Sequence, residues 1–315
     1  MEDPARVIDH QPVLYNEVLD YMQVQSGRVY IDGTVGSAGH AAGILDRSSP
    51  DGRLLGLDAD PDALLVASQR LSSFGSRVVL VHSNYARLSE AAQEHGIRQC
   101  HGVLLDLGLS SRQLSAVGRG FSFQQGDAPL DMRLDSHQPQ TAADIVNQLA
   151  ERELADLIYQ LGDERASRRL ARAIVQARPI LTTGQLAAVI ERTIGRSGKI
   201  HPATRVFLAL RRAVNAENES LEAALPQAVS LLVPGGRLAV IAFHGGEDLL
   251  VKTFMRRESR DCICPADAPQ CQCSHKATLR LITRHVVVAS EEERSQNPRS
   301  RSARLRVAEK LAVPV

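Results

Sequence analysis

Short apolar runs alternate with segments of helical spacing along the first third of the chain. Four runs rich in leucine and β-branched residues are too short for helices and predict buried β-strands. They are Arg28 to Asp32, Arg53 to Asp58, Val78 to Val81 and Gly102 to Asp106. Helical spacing follows in Pro61 to Leu71 and in Tyr85 to His95. This alternation predicts right-handed βαβ units and a parallel sheet covered on both faces.

The middle of the chain lacks strand patterns. From about Thr141 to Leu225, apolar residues recur at helical spacing. We therefore predict a helical domain of residues 116–215, inserted into an α/β domain made of residues 1–115 and 216–315. After the insertion, Arg237 to Phe243 predicts a fifth strand, and Leu279 to Arg284 and Ala303 to Glu309 predict antiparallel edge strands.

Composition adds limits rather than a function. Hydrophobic residues make up 43% and charged residues 23% of the 315 residues, as in ordinary globular proteins. The N-terminal residues lack a signal or transit pattern, so we expect a cytoplasmic protein. The net charge of +1 gives no polycation, but Arg165 to Arg178 holds five arginines. That cluster fits a phosphate-rich partner and, equally, a solvated helix face.

A glycine-rich segment, Asp32 to His40, follows the first predicted strand. Its glycines at 33, 36 and 39 allow a backbone loop to approach a ligand closely. Their spacing matches neither the dinucleotide fingerprint nor the P-loop. Asp58 ends the second strand, where an acid can accept hydrogen bonds from ribose hydroxyls. The combination predicts an adenosine-type cofactor, against the alternatives of a tight turn and a strand-end cap.

A second polar segment, Asp106 to Gln113, follows the fourth predicted strand. Ligands of open α/β sheets bind at the carboxyl ends of the strands, near the point where the strand order reverses. This rule places Asp106 beside the cofactor and the loop after it beside the substrate. Taken alone, the segment would more often be a turn than a site.

Several long motifs together resemble one family, the bacterial 16S ribosomal RNA cytosine-N4 methyltransferases (the RsmH or MraW family). The motifs occur in the family's order and read DGTVGSAGH, GLDADPDAL, DLGLSSRQL, RGFSF, DAPLDMRLD, TAADIVN, RVFLALRRAVN and NPRSRSARLRVAE. The resemblance runs from His10 nearly to the C-terminus. The resemblance implies methylation of a decoding-centre cytosine in 16S rRNA of the small ribosomal subunit.

For the fold, the resemblance implies an α/β protein, with the Rossmann-like sheet of class I S-adenosylmethionine methyltransferases and an inserted all-helical domain. For the cofactor, it implies S-adenosyl-L-methionine. The cofactor contacts carried over onto matching positions are Gly36, Ala38, Gly39, His40, Asp58, Tyr85, Asp106 and Gln113.

Four features of the sequence depart from the family pattern. Ala38 replaces the usual second glycine of the loop, a small change provided that its φ stays negative. Tyr85 replaces the usual Phe, which keeps the ring. The family's FHSLED reads Phe243 to Asp248 as FHGGED, and its VNxEL has Asn218 in place of Leu. The last two changes leave open a methyltransferase-fold protein with altered substrate or lost activity, acting as a ribosome-assembly binding module.

The target amino group is a weak nucleophile, so the base needs orientation and activation outside its stack. Our candidates for the base pocket are Ser110, Asp131, Arg133, Asn215 and His244. A loop clamp is the alternative for Asp131 and Arg133. The sequence leaves the oligomeric state open, a homodimer included.

Four cysteines are clustered at Cys262, Cys264, Cys271 and Cys273. They have the ligand count of a structural zinc site, although the spacing is tighter than the usual CxxC. Reduced thiols in a variable loop are the alternative, and the sequence-based expectation is that no metal is bound.

Overall fold

The computed structural model describes residues 12–124, 126–196, 201–265, 268 and 270–312. Contacts divide the chain into two compact units. The first unit is Met1–Gly108 with Ser220–Val315, and the second is Leu109–Glu219. The predicted insertion, residues 116–215, falls inside the second unit. None of the helices in the described ranges is long and apolar enough to cross a membrane.

The first unit contains a seven-stranded sheet with the order β3-β2-β1-β4-β5-β7-β6. Its strands are β1 Val29–Asp32, β2 Arg53–Asp58, β3 Val78–His82, β4 Cys100–Asp106, β5 Leu232–Ala242, β6 Leu279–Leu281 and β7 Arg304–Lys310. Strands β1 to β5 pair in parallel, and β7 is antiparallel to both neighbours. The strand order reverses between β1 and β4, which makes their carboxyl ends the switch point. The predicted class I methyltransferase sheet is confirmed.

The sheet is buried on both faces because successive residues of its central strands point into different cores. Ile31, Val103 and Leu105 belong to one apolar cluster. Their chain neighbours Tyr30 and Leu104 belong to another. Alternation of this kind is what a doubly covered sheet requires, and it explains why the strands read as continuous apolar runs.

The helices follow the predicted alternation. They are α1 Tyr15–Tyr21, α2 Gly39–Arg47, α3 Pro61–Arg70, α4 Leu88–Glu94, α5 Ser111–Ser115, α6 Ala142–Gln148, α7 Glu151–Gly162, α8 Ser167–Gln176, α9 Thr183–Ile194, α10 Ala203–Val214, α11 Glu217–Leu231, α12 Gly245–Glu258 and α13 Glu291–Gln296. The single helix predicted from Tyr85 is wrong at its start, where Tyr85–Arg87 forms a separate 3-10 turn. The edge strand predicted to reach Arg284 ends at Leu281.

The second unit has its own apolar core, built from the helices α6 to α10. Leu154, Ile158, Leu170, Leu186 and Leu210 are completely buried in it. These residues supply the amphipathic faces that the helical spacing predicts. Each unit therefore has its own apolar core.

Candidate active site

Three aspartates end neighbouring parallel strands of the first unit. Asp32 is the last residue of β1, Asp58 of β2 and Asp106 of β4. Parallel strands present their carboxyl ends at one edge of a sheet, so the three carboxyl groups share the switch-point edge. Thr34 links two of them, since its amide donates to Asp32 Oδ1 at 3.1 Å and its hydroxyl accepts from the Asp106 amide at 2.6 Å.

Burial makes these carboxyl groups unusually hard to ionise. It raises the pKa of Asp32 to about 7 and that of Asp58 to about 6. Burial, together with the charges of Asp32 and Glu247, raises the pKa of Asp106 to about 8. A cation placed at this edge would relieve the cost of ionising them. The electrostatics of the edge therefore fit a positively charged ligand.

Asp58 also holds the glycine-rich loop. Its Oδ2 accepts from the Gly36 amide at 2.8 Å, and its Oδ1 accepts from the Asp60 amide at 2.9 Å. Gly36 has φ +49°, in the left-handed region. A carboxylate oxygen has more than one acceptor site, so both oxygens can also accept from a ligand hydroxyl.

Ala38 corrects the expectation about the altered glycine. Its φ is +60° and its ψ is 27°, so the condition of a negative φ is not met. Its methyl group is fully buried in the core cluster on one face of the sheet. The loop therefore retains the left-handed turn that a glycine would adopt readily, and the alanine occupies it under strain.

Gly39 begins α2 immediately after this turn. A Cβ atom at Gly39 would lie 2.3 Å from Cγ of Pro12. Any larger residue at position 39 would therefore collide with Pro12, so the fold itself requires glycine here. Gly33 is constrained in the same way, since a Cβ there would lie 2.6 Å from Cδ2 of Leu105 and 3.2 Å from Cβ of Tyr85.

His40 and Asp106 face each other at the same edge. The imidazole Nε2 lies 3.6 Å from Asp106 Oδ2, and the side chain of His40 is only 5% exposed. Burial lowers the pKa of His40 to about 4, so the ring is neutral at pH 7. Both ring nitrogens and Asp106 Oδ1 lack hydrogen-bond partners among the described residues. Buried polar atoms of this kind require a partner from outside the chain, either water or a ligand.

Tyr85 lies after β3, in the turn Tyr85–Arg87. Asn84 caps this turn, because its Oδ1 accepts from the Ala86 amide at 2.8 Å. The Tyr85 ring is half-buried and packs against the apolar cluster that contains Ile31 and Leu105. Its position at a strand end agrees with a ring contact to the cofactor.

His244 caps the helix that follows β5. Its Nδ1 accepts from the Glu247 amide at 3.3 Å, and its Nε2 lies 2.9 Å from Glu247 Oε1. Glu247 is buried, and its other oxygen accepts from the Phe243 amide at 3.0 Å. Sequence reasoning missed Glu247 and Asp32 as site residues. The acid at the third position of α12 is a capping signal that could have identified Glu247.

The glycines that replace Ser and Leu in FHGGED leave this cap intact. Gly245 is the first residue of α12, and a Cβ atom built on it meets no atom within 4 Å. The family's Ser would therefore fit at this position without rearrangement. The changed motif retains both partners of the His244–Glu247 pair.

Ser110 and Gln113 form a capping box in the second unit. The Ser110 hydroxyl accepts from the Gln113 amide at 3.2 Å, and Gln113 Oε1 accepts from the Ser110 amide at 2.8 Å. Together they fix the start of α5. Any contact of these side chains with cofactor or base adds to this structural role.

Asp131 and Arg133 form a loop clamp, which was the alternative to a place in the base pocket. Arg133 Nε lies 2.8 Å from Asp131 Oδ1, and its Nη2 donates to Oδ2 at 2.9 Å. The Nη1 group donates to the carbonyls of Ser136 and Gln138 at 2.9 and 2.6 Å. Although burial acts in the opposite direction, the hydrogen bonds and charge of Arg133 hold the pKa of Asp131 below its usual range.

Asn215 closes the same segment from the end of α10. Its Oδ1 accepts from the Leu134 amide at 2.8 Å, and its Nδ2 donates to the Met132 carbonyl at 2.8 Å. A third bond joins Nδ2 to the Arg211 carbonyl, also at 2.8 Å. Asn215 is 3% exposed. The structure thus brings Asn215 next to the Asp131–Arg133 clamp, as a brace for its backbone.

The comparisons with known proteins agree over the whole length of the chain. The model of the MraW methylase family matches residues 7–311. A Dehalococcoides mccartyi protein named ribosomal RNA small subunit methyltransferase H is 52% identical over 306 residues, covering 97% of this chain and 87% of the relative. One of the same name from Syntrophobacter fumaroxidans is 48% identical, covering 99% of both chains.

A solved rRNA methylase from Streptococcus thermophilus is similar at a TM-score of 0.43 and 12% identity, covering 94% of this chain and 95% of its own. The sheet order, the carboxylate edge and a family match across nearly the full length agree with one another. The chain belongs to the MraW methylase family.

Proposed function

We propose that the chain methylates the N4 amino group of a cytosine in 16S ribosomal RNA of the small ribosomal subunit, with S-adenosylmethionine as the methyl donor. The family match and the name of its close relatives support the reaction and the RNA. The structural observation that carries the proposal is the edge where Asp32, Asp58 and Asp106 end neighbouring strands, the first buried and the other two partly buried, beside a left-handed glycine-rich turn. A cytoplasmic location follows from the substrate, and a homodimer is open to measurement.

The residues at this edge fit S-adenosylmethionine, which supplies a methyl group on a positively charged sulfonium. We assign the ribose hydroxyls to the acceptor sites of Asp58. Amides at the start of α2 suit the carboxylate of the amino-acid part, because helix N-termini favour anions. Asp106 and His40 present unsatisfied polar atoms to the ligand's amine or adenine donors, and the Tyr85 ring suits the adenine face.

The remaining candidates act on the RNA side. Orientation matters most for an in-line methyl transfer, since a misplaced nucleophile loses most of the rate. We assign Asp131, Arg133 and Asn215 to the shape of the base-recognition loop, because their polar groups are engaged with that loop's backbone. Ser110 and His244 remain candidates for direct contact with the base. Gly36, Ala38, Gly39 and Gln113 complete the proposed cofactor set.

Methyl transfer from labelled S-adenosylmethionine to bacterial small subunits tests the proposal, with the product nucleotide mapped. We expect N4-methylcytidine at one position, and no transfer to free cytidine. Transfer to another substrate class would overturn the RNA assignment. Cofactor binding without turnover on any form of the subunit would instead identify a ribosome-assembly binding module.

Variants divide the site into its two proposed parts. Asp58→Ala should weaken S-adenosylmethionine binding about tenfold or more, because a lost buried hydrogen bond costs about 1–3 kcal/mol. Gly39→Val should also weaken binding severely, since the side chain collides with Pro12. His244→Ala should lower turnover and leave cofactor affinity nearly unchanged. Loss of cofactor affinity in a folded His244→Ala variant would place that residue on the cofactor side.

A further inference from the structure

We propose that Cys262, Cys264, Cys271 and Cys273 bind one structural zinc ion. Their four sulfur atoms all lie within 4.8 Å of one another. The Sγ atoms of Cys271 and Cys273 are 3.7 Å apart, and those of Cys273 and Cys262 are 3.8 Å apart. This geometry replaces the sequence-based expectation that the loop holds no metal.

These two sulfur–sulfur distances match those of a tetrahedral tetrathiolate site. With Zn–S bonds of about 2.3 Å, the sulfurs of a regular tetrahedron lie about 3.8 Å apart. A disulfide would require sulfurs about 2.05 Å apart, far less than the observed separations. An iron–sulfur cluster distributes its cysteines over several irons, so sulfurs as close as these favour a single ion.

Backbone hydrogen bonds support the same arrangement. The amide of Ile263, between the first two cysteines, donates to Cys273 Sγ at 3.4 Å. The amide of Gln272, between the last two, donates to Cys264 Sγ at 3.4 Å. Each CxC pair thus donates to a sulfur of the other pair. N–H donors directed at sulfur orient metal ligands and stabilise thiolates.

The surroundings of the thiols disfavour a packing role. Cysteine is among the residue types most often buried, as Cys100 is in β4. The four clustered cysteines are instead exposed or half-exposed. Their loop joins α12 to β6, and its ends are tied by Thr278, whose amide donates to the Glu258 carbonyl at 2.8 Å. A metal would hold the four cysteines together where apolar packing does not.

His275 does not belong to the ligand set. Its Nε2 lies 3.2 Å from the carbonyl oxygen of Arg257. Four thiolates already fill the coordination of a structural zinc ion and leave no open position for water or substrate. The proposed ion therefore stabilises the loop and takes no part in methyl transfer, so this inference is independent of the proposed function.

Metal analysis of the purified, reduced full chain tests the proposal. After growth with zinc, mass spectrometry should find about one zinc per chain. Cys271→Ser and Cys273→Ser should each lose most of the zinc, while His275→Ala and Cys100→Ala should retain it. Cobalt substitution should produce tetrahedral thiolate absorption in the wild type.

A second readout avoids reliance on the folding of the variants. Removing zinc from the wild type with a strong chelator should expose four more reactive thiols, accelerate hydrogen exchange at the Ile263 and Gln272 amides, and lower the melting temperature. A zinc-free chain with four reactive thiols before chelation would overturn the proposal. So would two disulfides by mass, or bound iron in place of zinc.

Discussion

Asp106→Asn tests whether a protonated carboxyl group must ionise when the cofactor binds. With a pKa of about 8, Asp106 is mostly neutral at pH 7 in the ligand-free protein. At pH 6.5 about 3% of such a group is ionised, and at pH 8.5 about three quarters. A cation that contacts only the ionised form would bind about twentyfold more tightly at the higher pH. Because the side chain is 26% exposed, solvent screening makes this about twentyfold gain an upper limit.

The assay is calorimetric titration of S-adenosylmethionine into wild type and variant at pH 6.5, 7.5 and 8.5. The ligand's own amine titrates in this range, but it does so for both proteins and cancels in the ratio of their dissociation constants. Asp32, Glu247 and His40 face Asp106 and are present in both proteins. We expect the affinity advantage of the wild type to grow with pH. In buffers of different ionisation enthalpy, the wild type should release more protons on binding near pH 7.

An unchanged ratio from pH 6.5 to 8.5 would refute the reasoning. Melting of the ligand-free proteins gives an independent check. The folded-state pKa of Asp106 lies above its unfolded value, so the protonated group stabilises the fold below about pH 4, and this contribution is lost as pH rises through about 8. Asp106→Asn should therefore melt at a higher temperature than the wild type at pH 8.5, with little difference at pH 4.

Three further predictions concern other parts of the chain. Ala38→Gly should change the free energy of unfolding by less than about 1 kcal/mol, because relief of the positive φ opposes the lost methyl burial, whereas Ala38→Val should cost at least about 2 kcal/mol in urea denaturation. Asn215→Ala should lower stability by about 2–4 kcal/mol, since it leaves buried backbone groups of the second unit unpaired; a stability equal to wild type would contradict the bracing role. Replacing the exposed arginines Arg168, Arg169 and Arg172 of α8 with Gln should flatten the salt dependence of small-subunit binding by up to about three contacts, without changing cofactor affinity; an identical slope would show a merely solvated helix face.

The strands could be predicted because strands that are buried on both faces consist of short, continuous apolar runs. Arg53–Asp58 coincides with its predicted range. The end of β6 could not be predicted, since the alternation of residues 279–284 continues after strand pairing has stopped. The start of β5 was also missed. Leu232 pairs with Cys100, and the register shifts before Arg237, so the Pro-Gly-Gly segment obscures the first part of the strand.

Site residues could be predicted where a recognisable motif contains them. They could not be predicted where their role depends on the conformation of the backbone. The glycine-rich loop identified the cofactor side, but nothing in the letters at Ala38 reveals a φ of +60°. Asn215 stands in a recognisable motif, yet its three bonds to backbone groups depend on where residues 132, 134 and 211 lie in space. The four clustered cysteines have an informative spacing, but the proposal of a zinc site depends on the distances between their sulfur atoms, which the sequence does not give.

Polar atoms without hydrogen-bond partners distinguish the candidate residues on the cofactor side from those on the RNA side. At the switch-point edge, Asp106 Oδ1 and both nitrogens of His40 are buried without hydrogen-bond partners in the part of the chain that the structure describes, and Ala38 holds a strained turn. Such features lower the stability of the ligand-free fold and persist where a ligand relieves them. Asp131 and Asn215 show the opposite, because each already bonds with its own loop. Asp131 and Asn215 would have to break these bonds to turn to a ligand, whereas Asp58 can keep its two amide bonds and accept further ones. Direct contact with the cofactor is therefore expected of the first set, and positioning of the second.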